Sequence, residues 1–285
     1  METILSLQSW VSYGHVGNAA AVFPLQRAGA EVLAVNTVQF SNHTGYGEWT
    51  GQALLGAAVQ DLVAGIAARN VLPTIDAVLS GYLGDPAVID AVLDAVGKVR
   101  AANPRALYCC DPVIGDTGPG IYVRPGVLEA FRTHALPTAD VLTPNHFELA
   151  TLTGQVVATL AQTVAAAHSL RRRMRPGAVV LITSLAVDDT PADAAEMVAV
   201  ADDRAWRFTT PRLPISVNGA GDVTAALFLL HLLRTGRPDT ALSMAGSAVY
   251  CLLRITHQAG RRELAIVQAQ DEFVQPSTSF YANPC

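Results

Sequence analysis

Short runs rich in β-branched and apolar residues alternate with helical patterns along most of this chain, and that alternation limits the fold more than any other feature. The spacing predicts strands at Thr3–Gln8, Val32–Val38, Ala77–Ser80, Ala106–Cys110, Val141–Thr143 and Val179–Thr183. It predicts helices near Asn18–Ala28, Thr50–Ala68, Ala87–Ala102, Pro125–Thr133, Phe147–Thr153 and Leu160–Arg173. Strand, crossover helix and strand in succession build a mostly parallel sheet through right-handed units, with helices on both faces. After Asp188 the pattern changes. Met197–Ala201 and Trp206–Thr209 read as an antiparallel hairpin added to the sheet edge, followed by nearly all-apolar helices at about 220–235 and 239–257 and a C-terminal helix near 262–271. No linker, repeat or low-complexity stretch interrupts the 285 residues, and a hydrophobic content of 51% supplies an ample core. Residues 1–285 are therefore expected to form a single domain, a three-layer α/β/α architecture with a mostly parallel central sheet and an antiparallel edge hairpin.

A net charge of −5 gives no electrostatic reason to expect nucleic acid. The one basic run, Arg171-Arg172-Arg173-Met174-Arg175, closes a helical segment before Pro176-Gly177 and reads as a solvated helix end, where cations suit the negative end of the dipole. The longest apolar run, Ala225 to Leu233, is too short to span a membrane and contains His231. Met1 to Trp10 lacks the basic start and small-residue cleavage site of a signal peptide. Cys109, Cys110, Cys251 and Cys285 show no metal-type spacing; adjacent Cys109 and Cys110 should face opposite sides of a strand, and all four read as small buried hydrophobes in a reducing cytoplasm. Lys98 is the only lysine, lies on an amphipathic helix and is followed by Val99, which argues against a Walker loop and against Schiff-base chemistry.

In sheets of this kind ligands sit beyond the carboxyl ends of the strands. Six predicted strands end in polar motifs there: "QSWVSYGHVGN", "VQFSNHTGYG", "SGYLGD", "CDPVIGD", "LTPNHFE" and "ITS". A seventh polar group, Gly219-Ala220-Gly221-Asp222, opens the long apolar helix. The first amides of a helix are unpaired and sit at its positive end, so a glycine turn there makes an anion site. An aspartate in that mouth has two readings: a base beside a phosphate, or a side chain that caps the helix. Asp111 stops its strand with a carboxylate at the cleft edge, Asp116 sits in "GDTGPG", and Glu148 lies one helical turn after Asn145. Carboxylates converging without lysine suggest a hard cation such as magnesium with phosphate. Asn145 and Glu148 equally have the spacing of a capping box.

"SNHTGYG", "SGYLGD", "CDPVIGD", "TPNHFEL", "ITS" and "NGAGD", in this order and spacing, resemble the pyridoxal kinases of the ribokinase-like superfamily over nearly the whole chain. "GAGD" alone marks the superfamily; "VQFSNHTGYG" with "GYLGD" marks the pyridoxal branch. The resemblance implies transfer of the γ-phosphoryl of ATP to the 5′-hydroxyl of pyridoxal, pyridoxine or pyridoxamine. It also implies Mg²⁺, a monovalent cation (K⁺ or Na⁺), and a cytoplasmic homodimer. Carried over by motif, Asp222 is the base, and the amides of Gly219, Ala220 and Gly221 face the charge developing on the phosphoryl group. Ser9, His43, Thr44, Gly45 and Tyr82 resemble the pyridine-ring site, which Phe40 also lines. Asp111, Asn145, Glu148, Thr183 and Ser184 resemble the ATP-phosphate side. Thr210, Pro211, Arg212 and Leu213 run along the nucleotide, with Tyr122 of "GIYV" near it. Asp111, Asp116, Thr143 and Glu148 are the cation candidates.

The sequence departs from the family pattern at Trp10, where many relatives carry histidine, and at Ala220, which replaces a common threonine or valine. Thr44, Tyr82 and His43 also read as a loop residue, a core-edge aromatic and an exposed histidine. Two rival functions stand beside pyridoxal phosphorylation. One is a kinase of the same fold acting on hydroxymethylpyrimidine or a sugar, against which the "SNHTGYG" loop speaks. The other is a non-catalytic protein that binds and delivers pyridoxal phosphate, which would have no need of Asp222 as a base.

Overall fold

The computed structural model describes residues 1–285. The first half of the chain forms β1 (Thr3–Tyr13), α1 (Asn18–Arg27), β2 (Glu31–Asn42), β3 (Gly51–Ala53), α2 (Gly56–Ala67), β4 (Ala77–Ser80), α3 (Pro86–Ala102) and β5 (Leu107–Cys110). There follow β6 (Gly115–Asp116), β7 (Gly120–Ile121), α4 (Val127–Ala130), β8 (Val141–Leu142), α5 (His146–Thr153), α6 (Leu160–Arg171) and β9 (Val179–Leu185). The last part holds β10 (Ala194–Ala201), β11 (Arg204–Pro211), α7 (Ala220–Thr235), α8 (Pro238–Gln258) and β12 (Asn283–Pro284). The main sheet has ten strands in the order β12-β11-β10-β9-β8-β5-β4-β1-β2-β3. Its centre, from β9 to β2, is parallel, while β10, β11 and β12 at one edge and β3 at the other are antiparallel.

Alternation along the strands sends side chains into two cores, one on each face. Leu5, Leu7, Val78, Tyr108, Cys110, Val180 and Ile182 pack with residues of α2 to α6. Ile4, Ala77, Leu79, Cys109, Val179 and Leu181 pack with α1, α7 and α8. Cys109 and Cys110 thus face opposite layers, as their adjacency requires. Helix α7 is buried almost all round between the sheet, α1 and α8, which explains a sequence with no polar face.

Five expectations need correction. The helix expected from Thr50 begins at Gly56, because Gly51 has φ +117° and lies so close to β2 that a Cβ would fall 2.1 Å from Gln39 O; residues 51–53 therefore turn back as β3. The helix expected over Pro125–Thr133 is α-helical only at Val127–Ala130, after Gly126 in the left-handed region, and then widens into a π-turn at Phe131–Ala135 that runs into a 3₁₀ turn containing Pro137. No helix covers 262–271. Glu263, Leu264, Ala265 and Ile266 are buried consecutively and Ala265 N–H donates to Thr256 Oγ1 at 3.0 Å, so tertiary contacts fix an irregular path of bends and turns; Gln270–Phe273 forms a single 3₁₀ turn. The arginine run is not simply solvated. Arg171 donates to Ala178 O at 2.6 Å, Arg173 to Arg132 O at 2.9 Å and Arg175 to Asp140 at 3.0 Å. Cys285 also departs from its expected burial: it is exposed, whereas the other three cysteines are buried and free.

Candidate active site

Helix α7 begins without a side-chain cap. Gly219 occupies the cap position with φ +89°, and a Cβ there would meet His15 O at 1.9 Å, so both conformation and packing require glycine. Val223 N–H is the first to find a helical acceptor, Gly219 O at 3.1 Å, which leaves the amides of Ala220, Gly221 and Asp222 facing the cleft without one. A side chain at Gly221 would meet nothing within 4 Å. Glycine inside a helix costs about 1 kcal/mol relative to alanine, and packing gives no reason for it here. The open space in front of Gly221 is room for a ligand to approach the backbone.

Asp222 is the third residue of α7, not its cap. Burial pushes its carboxyl up to about 6, against the pull of the Gly17 N–H and of its own amide. Gly17, in turn, lies against Ser9, where a Cβ would come within 2.2 Å of Ser9 O and 2.4 Å of Ser9 Oγ. Ser9 is itself buried at the irregularity in the β1–β2 pairing. The predicted Ser9 thus backs the loop that presents an N–H to Asp222.

Asp111 follows β5 and is buried, and its pKa lies well above the usual carboxylate range. Burial is the main cause, with the charges of Glu148 and Asp222 adding to it and Thr143 opposing. Asp111 thus lies within electrostatic reach of both other carboxylates. Glu148 is buried and serves as both carboxylate and cap: its Oε1 accepts from Ile114 N–H (2.8 Å) and Gly115 N–H (3.4 Å), and its Oε2 from Asn145 N–H (2.9 Å). Asn145 Oδ1 accepts from Glu148 N–H at 2.8 Å, which completes the capping box. Burial nevertheless outweighs those donors and pushes Glu148 up to about 7. Val113, a β-branched residue at φ +38°, bends the chain so that the next two amides reach Glu148. Asp116 sits exposed on the β6–β7 hairpin at the rim, with Thr117 N–H on its Oδ1 at 2.7 Å.

The donor set fits a hard cation. Thr143 Oγ1 is buried beside Asp111 and finds no hydrogen-bond partner of good geometry, while Asp111 draws no backbone N–H. No three His, Cys, Asp or Glu side chains close into a ready-made cage, so a cation here would complete its shell with water and phosphate oxygens, as magnesium commonly does. Glu148, its oxygens taken by amides, suits a supporting role better than direct ligation.

The residues expected at a pyridine ring lie beside this cluster on the β1–β2 side. Register pairs Val11 with Phe40 and Tyr13 with Asn42, which carries the 43–47 loop to the end of β1. His43 is half-buried and its Nδ1 accepts from Gly45 N–H at 3.1 Å; burial lowers its pKa, so the ring is a neutral acceptor there. Thr44 and Gly45 are exposed at the tip, and Phe40 stacks obliquely on Trp49 with centroids 4.2 Å apart. Tyr82, half-buried after β4, has its phenol pKa raised by burial, and its carbonyl accepts from Thr37 Oγ1 at 3.0 Å.

On the other side, Thr183 is buried, donates from its amide to Pro144 O at 2.9 Å, and bridges to Asn145. Ser184 is exposed at φ +51°. Antiparallel register brings Thr210 and Pro211 opposite Ala195 and Ala194, at the same end of the sheet as the end of β9; Arg212 and Leu213 continue from there. Tyr122 is about half exposed, and its phenol is pushed up first by burial and then by Glu148, Asp111, Asp116 and Asp222. Its phenol therefore feels the charge of all four acids. Lys98 is paired with Asp94 on α3 at 2.7 Å.

Sequence reasoning missed two contributors: Gly17 and Val113. Each acts through a backbone amide or a contact distant in sequence, and only the glycine of "GHVGN" left a local signal.

Residues 55–266 match the family model described as phosphomethylpyrimidine kinase. A pyridoxal kinase PdxY from Granulibacter bethesdensis is 59% identical over 284 residues, 99% of each chain, and one from Deinococcus radiodurans is 54% identical over 98% of this chain and 95% of its own. Pyridoxal kinase from Leishmania donovani in complex with ADP and pyridoxamine superposes with a TM-score of 0.92 at 31% identity, covering 100% of both chains. The doubly wound sheet with antiparallel edges and the glycine turn that opens α7 define a small-molecule kinase of the ribokinase-like class. Within that class, the chain belongs to the pyridoxal kinase family.

Proposed function

We propose that this chain transfers the γ-phosphoryl group of ATP to the 5′-hydroxyl of pyridoxal, or of pyridoxine or pyridoxamine, in vitamin B6 salvage, with Asp222 as the general base. The observation that carries the assignment of roles is the start of α7: unpartnered amides at 220 and 221 beside a carboxyl held at about 6. At that value Asp222 is ionised at neutral pH and still basic enough to accept the hydroxyl proton as the oxygen attacks. The amides and the helix dipole offset charge on the phosphoryl oxygens in the transition state, where such donors matter most. The ring rests among Ser9, Phe40, His43, Thr44, Gly45 and Tyr82. The nucleotide runs past Asn145, Thr183, Ser184 and the 210–213 strand end, with Tyr122 over it.

Mg²⁺ would be held by Asp111 and Thr143, with Glu148 behind them and Asp116 at the rim, and would neutralise phosphate charge; a monovalent cation belongs to the same end of the sheet. Residues 1–285 act as one cytoplasmic kinase domain, and two copies pair, for which exposed Trp49, Leu55 and Leu62 near β3 and α2 offer apolar surface. No helix is long and apolar enough to cross a membrane. Incubation with MgATP and, separately, pyridoxal, hydroxymethylpyrimidine and a hexose tests the reading. Pyridoxal phosphate is the expected main product. Turnover of only the pyrimidine or the sugar, or binding of pyridoxal phosphate without turnover, would replace it.

A further inference from the structure

The 43–47 loop has few internal supports. His43 caps its own turn, Asn42 Nδ2 donates to His43 O (3.1 Å) and Glu48 O (2.9 Å), and Thr44 and Gly45 are exposed. Its tie to the rest of the cleft comes from the far end of the chain. Tyr46 donates its hydroxyl to Glu263 Oε1 at 2.5 Å, across 217 residues of sequence. Glu263 is buried, and its other oxygen, Oε2, accepts from His15 N–H at 3.1 Å. Gly14 presses so closely on that carboxylate that a Cβ would lie 2.4 Å from Oε2. The carbonyl of the same His15 packs on Gly219, and Leu264 closes the same side: a Cβ built at Gly219 would lie 1.9 Å from His15 O and 3.2 Å from Leu264 Cδ1. Tyr46 is held further by an edge-to-face contact with Tyr13, with centroids 5.9 Å apart, and by the Arg262 guanidinium 5.3 Å from its ring centre.

We propose that Glu263 is a positioning residue: it clamps the ring-side loop through Tyr46 and the glycine turn of α7 through His15, and so fixes the spacing between substrate ring and phosphoryl site. One carboxylate with two oxygens serves two segments that share no other hydrogen bond to each other. Removing it frees both; removing the Tyr46 hydroxyl frees only the loop. A hydrogen bond to a charged group is worth more than a neutral one, and the Tyr46 phenol, held up at about 12 chiefly by its bond to Glu263, stays a donor at any working pH. The proposal rests on the reading of the 43–47 loop as part of the pyridoxal site.

The test uses the full-length enzyme as wild type, Tyr46→Phe, Glu263→Ala, Glu263→Gln and the Tyr46→Phe/Glu263→Ala double variant. Pyridoxal is varied at saturating MgATP, MgATP is varied at saturating pyridoxal, and melting temperature is recorded. Tyr46→Phe should raise the pyridoxal KM by about tenfold and leave the MgATP KM within about twofold, on the size of a charge-assisted bond. Glu263→Ala should raise the pyridoxal KM at least as much and also lower kcat, because it releases Gly219's neighbour. The double variant should show no further rise in pyridoxal KM. Glu263→Gln should recover most of the loss, since an amide oxygen can accept from His15 and its NH₂ can donate to the Tyr46 oxygen. Tyr46 is on the surface, so its variant decides the matter even if Glu263→Ala does not fold. An unchanged pyridoxal KM in Tyr46→Phe, or equal rises in both KM values, overturns the clamp while leaving the kinase reading intact. A wild type inert toward pyridoxal removes that reading and the clamp with it.

Discussion

The two ends of the β5–β8 pair treat buried acid in opposite ways. At the amino end, Asp140 pairs with Arg100 and with Arg175 (3.0 Å) and accepts from Tyr108 N–H at 2.7 Å. At the carboxyl end of β5, Asp111 is at least as buried and faces Glu148 and Asp222, with a lone threonine hydroxyl as its only opposing influence. Glu196, in the edge hairpin, repeats the paired arrangement: burial raises its pKa, but Arg207, Thr190 and Thr209 bring the net value below normal. Even the groove of about 890 Å³ beside Asp140 has its acids partly balanced, as in the Arg237–Asp239 pair. Burying a charge without a partner costs several kcal/mol. Asp140 and Glu196 have arginine partners, whereas Asp111, Glu148 and Asp222 have none; under the proposed kinase role, cations and phosphates would arrive with the substrate.

That contrast can be broken first at the paired end. Asp140→Ala leaves two arginines without their carboxylate and should destabilise the protein by about 3 kcal/mol, seen as a lower denaturant midpoint, while the KM for MgATP is retained. A shift in KM without loss of stability would contradict the division between the two ends.

At the unpaired end the expected outcome is the reverse, and smaller. Asp111→Ala should raise the MgATP requirement by about tenfold, or about 1.4 kcal/mol, well before any change for pyridoxal. Its melting temperature should hold or rise, because an uncompensated acid has gone. A fall in melting temperature with unchanged MgATP dependence would mark Asp111 as structural.

A third effect is on pH-dependent stability without ligand. Asp222 has a folded pKa of about 6 against an ordinary 3.8, so its stabilising contribution is present below about pH 4 and is lost as pH rises through about 6. His43, His146, His168 and His231 have lowered pKa values from burial and drift the other way over part of that range. The wild type is therefore compared with Asp222→Asn, which keeps those histidines. Relative to that variant the wild type should lose melting temperature between pH 4 and 6 and then level off; a relative gain would reverse the sign of the Asp222 shift.

Much of the fold was legible because the central strands are buried on both faces and read as short apolar runs at regular intervals. What was illegible was decided by contacts. Gly51 turns back because β2 lies 2.1 Å from where its Cβ would be, and residues 263–266 form no helix because every one of them is buried in tertiary contacts. The strand-end motifs drew attention to one edge of the sheet, and there the charges of Glu148 and Asp222 both act on Asp111. The capping-box reading of Glu148 holds, and the same carboxylate also accepts from the amides of Ile114 and Gly115. The strain at Val113, the Gly17 amide and the reach of Glu263 to His15 and Tyr46 involve backbone direction or separations of more than 200 residues, which no local pattern encodes.

The central claim is that Asp222 takes the hydroxyl proton, and its most direct test is the ratio of wild-type to Asp222→Asn turnover with pyridoxal, measured at saturating MgATP from pH 5 to pH 8. Substrate ionisation and every other titrating group affect both proteins and largely cancel in the ratio. A general base contributes on the order of 10²–10⁴-fold, so the ratio should lie in that range at pH 8 and shrink as pH falls through about 6, where the wild-type carboxyl gains its proton. A ratio near one throughout, or a large ratio that does not change with pH, would contradict the assignment.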